Sequence, residues 1–539
     1  MSISESKVSG AVFLLVVLTL LSTFLIASDQ PKTSSAEDTL ILDARSRVET
    51  ADGSGKFTVV YKRLEWNPSD TAIIICDMWD KHWCEGATSR VAELAPAINK
   101  VVDKARDKGV LIIHAPSGTV DHYKDHPARK HAQNAPKAAN LPDGIGSWCK
   151  WIGKEEEKAG YPIDHSDGGC DCRPKCKEGS PWQKQINTIE ISDEDAVSDS
   201  GVEIWNLLEH RGVKNVILMG VHTNMCVLGR PFGLRNMARF GKNLVLMRDL
   251  TDTMYNSRAK PFVSHFTGTD LIIQHVERFV CLTITSTLFT DQPAFRFSAD
   301  TRPHIVFISA ESEYKAAETL PDFAQKLQME YGLSCQILQA GTDEKSKERN
   351  YICGMESLVD ADLVVVFARR RAFPARQMQH LRDYLDGGKP LLALRTASHA
   401  FDTRGSTPPG HVEWREFDRD VLGGNYTGHY TSGPQTTITA TTAAQDHPVL
   451  SGVKTLFISN GSLYKTSPLA GSAQLLLTGS IPGQKPEPVA WTNMYKQARI
   501  FYTSLGHPDD FGNPQFRRLL INAVFWAMDK PFPKEKAVR

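Results

Sequence analysis

A chain of 539 residues is too long for one ordinary hydrophobic core and calls for two or three domains. Its 62 basic and 62 acidic side chains cancel and no long single-sign run occurs, which argues against nucleic acid or an anionic surface as partner and leaves small neutral or zwitterionic molecules. No internal repeat, coiled-coil pattern or low-complexity tract interrupts this picture.

In chain order, residues 10–27, "GAVFLLVVLTLLSTFLIA", form an uncharged apolar run preceded by Lys7 and followed by the polar "SDQPKTSSAED". The pattern predicts a signal peptide within residues 1–30. Its length approaches that of a bilayer span and the residues before Ser28 fit a small-residue cleavage rule poorly, so an uncleaved membrane anchor is the alternative. Either way the remaining chain is expected to be exported, periplasmic or extracellular.

A first α/β block occupies residues 40–286. The apolar run "TAIIICDMWD" predicts a strand ending in Asp77, followed by a helix from Ala92 to Lys108 and a second strand, "GVLIIHAPS", ending near His114. Beyond a polar loop come a short strand "NTIEI", a helix near "GVEIWNLLEHRG", the strand "KNVILMG", a helix through "CVLGRPFGLRNMARFG" and the strand "KNLVLMRDL". Continuous apolar strands alternating with helices predict a doubly wound parallel sheet covered on both faces. Such sheets bind ligands at the carboxyl ends of their strands, where Asp77, His114 and the turn before Cys226 fall.

The polar loop carries Cys149, Cys170, Cys172 and Cys176 among ten cysteines. In an exported chain these are expected to form disulfides rather than a zinc site, because C-x-C-x-x-x-C departs from the paired C-x-x-C knuckle.

Asp77 in "IIICDMWD", Cys226 in "GVHTNMCVLGR", and Asp249 and Asp252 in "VLMRDLTDTMYN" follow one another in an order that resembles the isochorismatase-like cysteine hydrolases, which include nicotinamidases, over roughly residues 55–290. The resemblance implies that Cys226 attacks the carbon of an amide or similar C–N bond in a small molecule, with Asp77 as its base. The amides of His222 and Cys226 would hold the oxyanion, with a cis peptide joining Val221 to His222. Trp79, His114 and Tyr123 would bind substrate, with Arg129 beside Tyr123 suited to an anionic group. A thiol of ordinary pKa needs such a base or a positive field, since the thiolate is the nucleophile. The resemblance also implies homo-oligomeric assembly.

The family's usual lysine has no counterpart. The corresponding stretch, "NTIEISDEDAVSDSG", holds Asp193, Glu194 and Asp195, and carboxylates there would oppose thiolate formation. Lys81 and Lys184 are the nearest substitutes, both expected to be solvated. The competing reading is therefore a degenerate module used for binding or regulation. Some relatives hold a divalent metal through an Asp and histidines; His114, Asp121, His122, Asp125, His126 and His131 would suit a zinc-like ion but do not reproduce that arrangement, and a polar lid is the alternative. No other cofactor is expected.

Residues 286–302 are expected to be a linker before a second α/β block at 302–530. The strands "HIVFIS", "SCQILQA", "DLVVVFA" and "PLLALRT" predict a parallel, flavodoxin-like sheet. "LGGNYTGHY", "DHPVLSGV", "PVAWTNMYKQARIFYTSLGH" and the helix "PQFRRLLINAVFWAMD" resemble trehalose-utilisation (ThuA-like) domains, relatives of class I glutamine amidotransferases. The turn "TASHAF" lacks the cysteine those amidotransferases carry, which excludes glutaminase chemistry by that route. His399, His429, His507 and Tyr464 are expected to converge on a site for a carbohydrate-related ligand. The arginines of "ARRRAF" are expected on a solvated edge, with an anion site as the alternative, and Cys335 and Cys353 as core thiols or one disulfide.

Overall fold

The computed structural model describes residues 39–532 apart from 342, 344 and 455, so the N-terminal apolar run lies outside the described residues. Among the described residues no helix is long and apolar enough to cross a membrane.

Among the described residues the chain builds two large sheets and two small two-stranded ones. The first has eight strands in the order β2-β1-β8-β7-β6-β3-β4-β5: β1 (Leu40–Glu49), β2 (Phe57–Trp66), β3 (Thr71–Cys76), β4 (Leu111–Ala115), β5 (Ala196–Val197), β6 (Asn215–Val221), β7 (Asn243–Asp252) and β8 (Leu282–Ile284). Strands β3 to β8 pair in parallel. Every residue of β3 is buried, and its side chains alternate between two cores: Ala72, Ile74 and Cys76 pack on one face, Ile73 and Ile75 on the other. That is why the run reads as unbroken apolar sequence. The chain leaves β3 toward β4 on one side and later returns to β6 on the other, so the β3–β6 edge is the topological switch point where such sheets open a crevice.

Sequence expectation and structure differ in places. The antiparallel hairpin β1–β2 was not foreseen, because its strands carry charges on alternate positions; β2 instead packs Val59 into the second unit's core, and Tyr61 Oη donates to Ile337 O at 3.2 Å. "NTIEI" forms a turn, and the two-residue strand is Ala196–Val197. The first helix runs Glu85–Asp107, beginning earlier than the apolar spacing suggested. The stretch 286–302 is not a free linker: it holds the short helix Thr287–Thr290 and buries Phe289 and Phe297 against the first core.

The second sheet has nine strands. Ser334–Gln339, His304–Ala310, Leu363–Ala368, Leu391–Leu394 and Ala498–Thr503 run in parallel in that spatial order. Antiparallel strands Glu487–Tyr495, Gln474–Ser480, Thr436–Ala440 and Leu456–Ser459 then extend one side. The fold is thus α/β with two helix-covered sheets, the first mostly parallel and the second mixed, its parallel half extended by antiparallel strands beyond the wholly parallel expectation.

Candidate functional site

The register places Cys76 of β3 opposite Gly220 of β6. Gly220 has φ +105, and a Cβ there would stand 2.2 Å from Cys76 O, so only glycine lets the strands approach this closely. Asp77 follows with φ +48, a left-handed conformation costing a non-glycine residue about 1 kcal/mol or more. The turn directs its carboxylate inward: Oδ1 accepts from Ser117 N at 2.8 Å, and Arg230 Nε lies 3.3 Å from Oδ2. After β6, the Val221–His222 peptide is cis and a tight turn over Thr223–Val227 carries Cys226, which is 8 % exposed and close enough to feel the Asp77 charge.

The electrostatics follow from burial. Desolvation pushes the Cys226 thiol up, the Asp77 charge adds to this, and Arg230 opposes both. Desolvation also raises Asp77, against the stabilising pull of Arg230, Cys226 and Ser117. Burial works against the Arg230 charge, yet Asp77 and Cys226 hold the guanidinium above its ordinary value. The result is a thiol and a carboxyl both held toward their neutral forms by burial, beside a permanent cation that opposes this.

Arg230 is the residue the sequence reading overlooked. It stands four positions after Cys226, one turn along the same segment, and not in the stretch before β6 where the family's lysine would fall. Asp195 of that stretch is occupied elsewhere, paired with Arg106 at 2.8 Å and His114 at 3.1 Å, while Asp193, Glu194 and Lys81 are exposed. The feared carboxylate field does not bear on the thiol through an unpaired Asp195.

Of the expected substrate residues, Trp79 is well placed. Its ring stacks on Trp182 at 4.4 Å, Nε1 donates to Ser117 O, and it packs in the same cluster as Cys226. His82 stacks on both tryptophans and meets His222 edge-on at 4.9 Å, completing an aromatic wall beside the turn. Burial, then the Arg90 charge, lowers His82 to about 4. His222 is pushed well below the ordinary imidazole range by burial and then by His82, and its Nε2 is buried without a hydrogen-bond partner. His114 is a correction: it is fully buried, with Nδ1 on Gln185 and Nε2 on Asp195, so it offers no atom to a substrate. Tyr123 is also buried, its hydroxyl accepting from Gln185 N. Arg129 is taken up by Glu203 and Val197 O. Asp249 caps the segment after β8 through Ser286 and Phe295, and Asp252 joins Arg90 and His265.

The histidine-rich stretch does not assemble a metal site. His126 caps the helix Pro127–Gln133, His131 bonds Asp195 O, and His114 is engaged as above. Among the described residues the ligating side chains that converge are instead Cys84, Cys170, Cys172 and Cys176, which could hold a metal ion. All ten cysteines are free thiols in the structure, contrary to the disulfides expected of the polar loop, and Cys335 and Cys353 follow the free-thiol alternative. Cys149 belongs elsewhere, hydrogen-bonding Trp151 O.

In the second unit, Arg395 occupies the sharp turn after Leu391–Leu394, with φ +42 and 1 % exposure. Its guanidinium lies 4.0 Å from the Tyr314 ring and 4.8 Å from that of Tyr464, and donates to Ser504 O. His399 stacks on Tyr426 at 4.4 Å and lies 6.1 Å from Tyr464; His429 is 6.3 Å from Tyr464, exposed; His507 reaches the group only through Tyr314, at 6.3 Å. The predicted residues thus ring a cation that the sequence reading did not name. Burial, then Arg370, Arg369 and Arg404, push His399 down to about 2. Asp418, also unforeseen, accepts from Tyr426 N and is raised by burial to about 7. The arginine run is not a solvated edge: Arg371 is buried, and Arg370 pairs with Asp402.

Two α/β units, each with a polar turn at the end of a parallel strand, define the class. Residues 312–527 match the family model described as trehalose utilisation, ThuA, so the C-terminal unit is ThuA-like. The chain is similar to a putative ThuA-like protein from Parabacteroides merdae (17% identity, 43% of this chain and 93% of that one, TM-score 0.34). It is also similar to a cysteine hydrolase from Pseudomonas syringae pv. phaseolicola (18% identity, 41% and 91%, TM-score 0.25) and a glutamine amidotransferase from Thermotoga maritima (11%, 42% and 99%, TM-score 0.27). No curated protein matches the sequence.

Proposed function

We propose that the first unit is a cysteine hydrolase cleaving an amide or similar C–N bond of a small molecule. The observation that carries this reading is the Asp77–Cys226–Arg230 contact set at the switch point of the sheet. As Cys226 Sγ bonds to the substrate carbon, its proton passes to the Asp77 carboxylate and the carbonyl electrons move to oxygen, near the amides of His222 and Cys226. Collapse of that intermediate breaks the C–N bond, Asp77 returning the proton to the departing nitrogen, and water then hydrolyses the thioester. Arg230 offsets the charge that passes between sulfur and carboxylate, the service the family's lysine would otherwise give. The wall of Trp79, Trp182 and His82 favours a flat substrate. The ThuA-like unit would bind a carbohydrate-related ligand around Arg395, Tyr464 and His399. Export of the chain belongs to the same proposal.

Ammonia release from a panel of small aliphatic and heteroaromatic amides tests the reading, with mass spectrometry of the Cys226 peptide to trap a thioester. Turnover abolished in Cys226→Ala supports it. No release and no adduct across the panel would favour the degenerate binding module, to which the raised thiol already lends weight.

A further inference from the structure

We propose that Cys84, Cys170, Cys172 and Cys176 bind one zinc ion that staples the irregular segment 160–195 to the body of the first unit. The four Sγ atoms lie within 4.8 Å of one another, with Cys84 and Cys172 3.8 Å apart. Four thiolates at about 2.3 Å around a tetrahedral ion are separated from each other by about 3.8 Å, whereas a disulfide requires about 2.05 Å. Cys84 comes from the residue preceding the helix Glu85–Asp107, 86 positions before Cys170, which is why the sequence spacing gave no knuckle pattern.

The surroundings suit bound thiolates. Gly86 N donates to Cys172 Sγ at 3.3 Å. Amides at the start of a 23-residue helix favour negative charge. Beyond the sulfurs, Arg90 pairs with Asp171 at 2.9 Å, and Arg258 donates to the carbonyls of Asp171 and Cys172. Asp171 Oδ1, 3.7 Å from Cys84 Sγ, is thereby neutralised rather than left to repel the cluster. Such outer partners orient the ligands of a metal site.

The segment has reason to need a staple. Residues 160–195 contain no helix or strand beyond the single Trp79–Gln185 bridge, too long a stretch to order itself by local structure. Cys84, Ala87, Cys170 and Met254 form their own small core, and Gly169 lies so close that a Cβ would be 2.4 Å from the Met254 carbonyl. Met254 in turn exchanges hydrogen bonds with Asn224, two residues before Cys226. The cluster therefore anchors the loop from which His165 reaches Asn224 of the thiol's turn and Trp182 stacks on Trp79.

Elemental analysis of the purified full chain, with thiol titration in denaturant plus chelator and intact mass, tests the site. About one zinc per chain and ten titratable thiols are expected. Cys172→Ser should lose the metal and Cys335→Ser retain it, while chelation of the unsubstituted chain should lower its melting temperature and open 160–195 to proteolysis. Cobalt reconstitution should give the thiolate-to-metal band of a tetrahedral site. Iron in place of zinc, absence of metal with all thiols free, or a mass lower by two hydrogens for each pair of these cysteines would overturn the proposal. Because metal content is read on the unsubstituted chain, a variant that fails to fold does not decide it.

Discussion

Two turns of this molecule occupy equivalent places, each at the carboxyl end of a strand flanked by two parallel neighbours, yet they hold opposite chemistry. After β6 the turn presents a thiol to a buried carboxylate with Arg230 alongside; after Leu391–Leu394 it presents Arg395 to two tyrosine rings. In the first the cation serves a group that can be made nucleophilic. In the second the cation itself is the centre, set against two rings and the Ser504 carbonyl. The same topological position can thus be set for bond making or for holding a ligand by the identity of one residue and its charged neighbour.

The largest expected effect removes the first chemistry outright. Cys226→Ala or Asp77→Asn should lower turnover by about 10³-fold or more, since groups acting as a unit fail together. Ligand binding by the second unit should be unchanged. Parallel calorimetry and ammonia assays check this, and equal loss in both would break the distinction between the turns.

Next is Arg230. Its charge holds the buried Asp77 carboxyl down against desolvation, so Arg230→Met raises Asp77 further. A base that must be ionised then needs a higher pH: the acid limb of the kcat/KM profile should move upward, and the plateau should fall about 10²-fold. Arg230→Lys should restore part of both. A profile that keeps its acid limb in Arg230→Met would remove Arg230 from the mechanism while leaving a structural role.

The third substitution tests the other turn. Arg395→Met should weaken the ligand of the second unit about tenfold and leave amide turnover intact, read by calorimetry with neutral sugars and sugar acids. Loss of its bonds to Ser504 O and Ser462 should also destabilise the fold by about 1–3 kcal/mol, measured by denaturant melts of the same variant.

These residues also mark what the sequence made legible. The strands were readable because both faces of β3, β4 and β6 are buried, which leaves an apolar run as their only solution. Asp77 and Cys226 were readable because strand ends are where a glycine, an acid and a thiol have reason to gather. Arg230 was missed because a cation's contribution depends on which way a turn carries it, and spacing alone does not give that direction. Arg395 was not legible because a buried arginine at a strand end reads in sequence like any solvated one, and only the fold sets it against two tyrosine rings. Cys84 joined the sulfur cluster through tertiary contact between the start of the helix Glu85–Asp107 and a distant loop, and β1–β2 read as charged because one of its faces serves the second unit.

The smallest effect expected is a null one, and it separates the turns most cleanly. His399 sits against Tyr426 and is pushed to about 2 by burial and by Arg370, Arg369 and Arg404. An imidazole so depressed stays neutral between about pH 5 and 8, able to accept or donate one hydrogen bond but carrying no charge. Affinity of the second unit for its ligand should therefore vary by less than about twofold across that range, whereas amide turnover by the first should fall on its acid side as Asp77 takes a proton. A change in affinity centred near the ordinary histidine range would mean that ligand entry brings a carboxylate or phosphate close enough to His399 to outweigh three arginines, and would shift the ligand class from neutral sugar to anion.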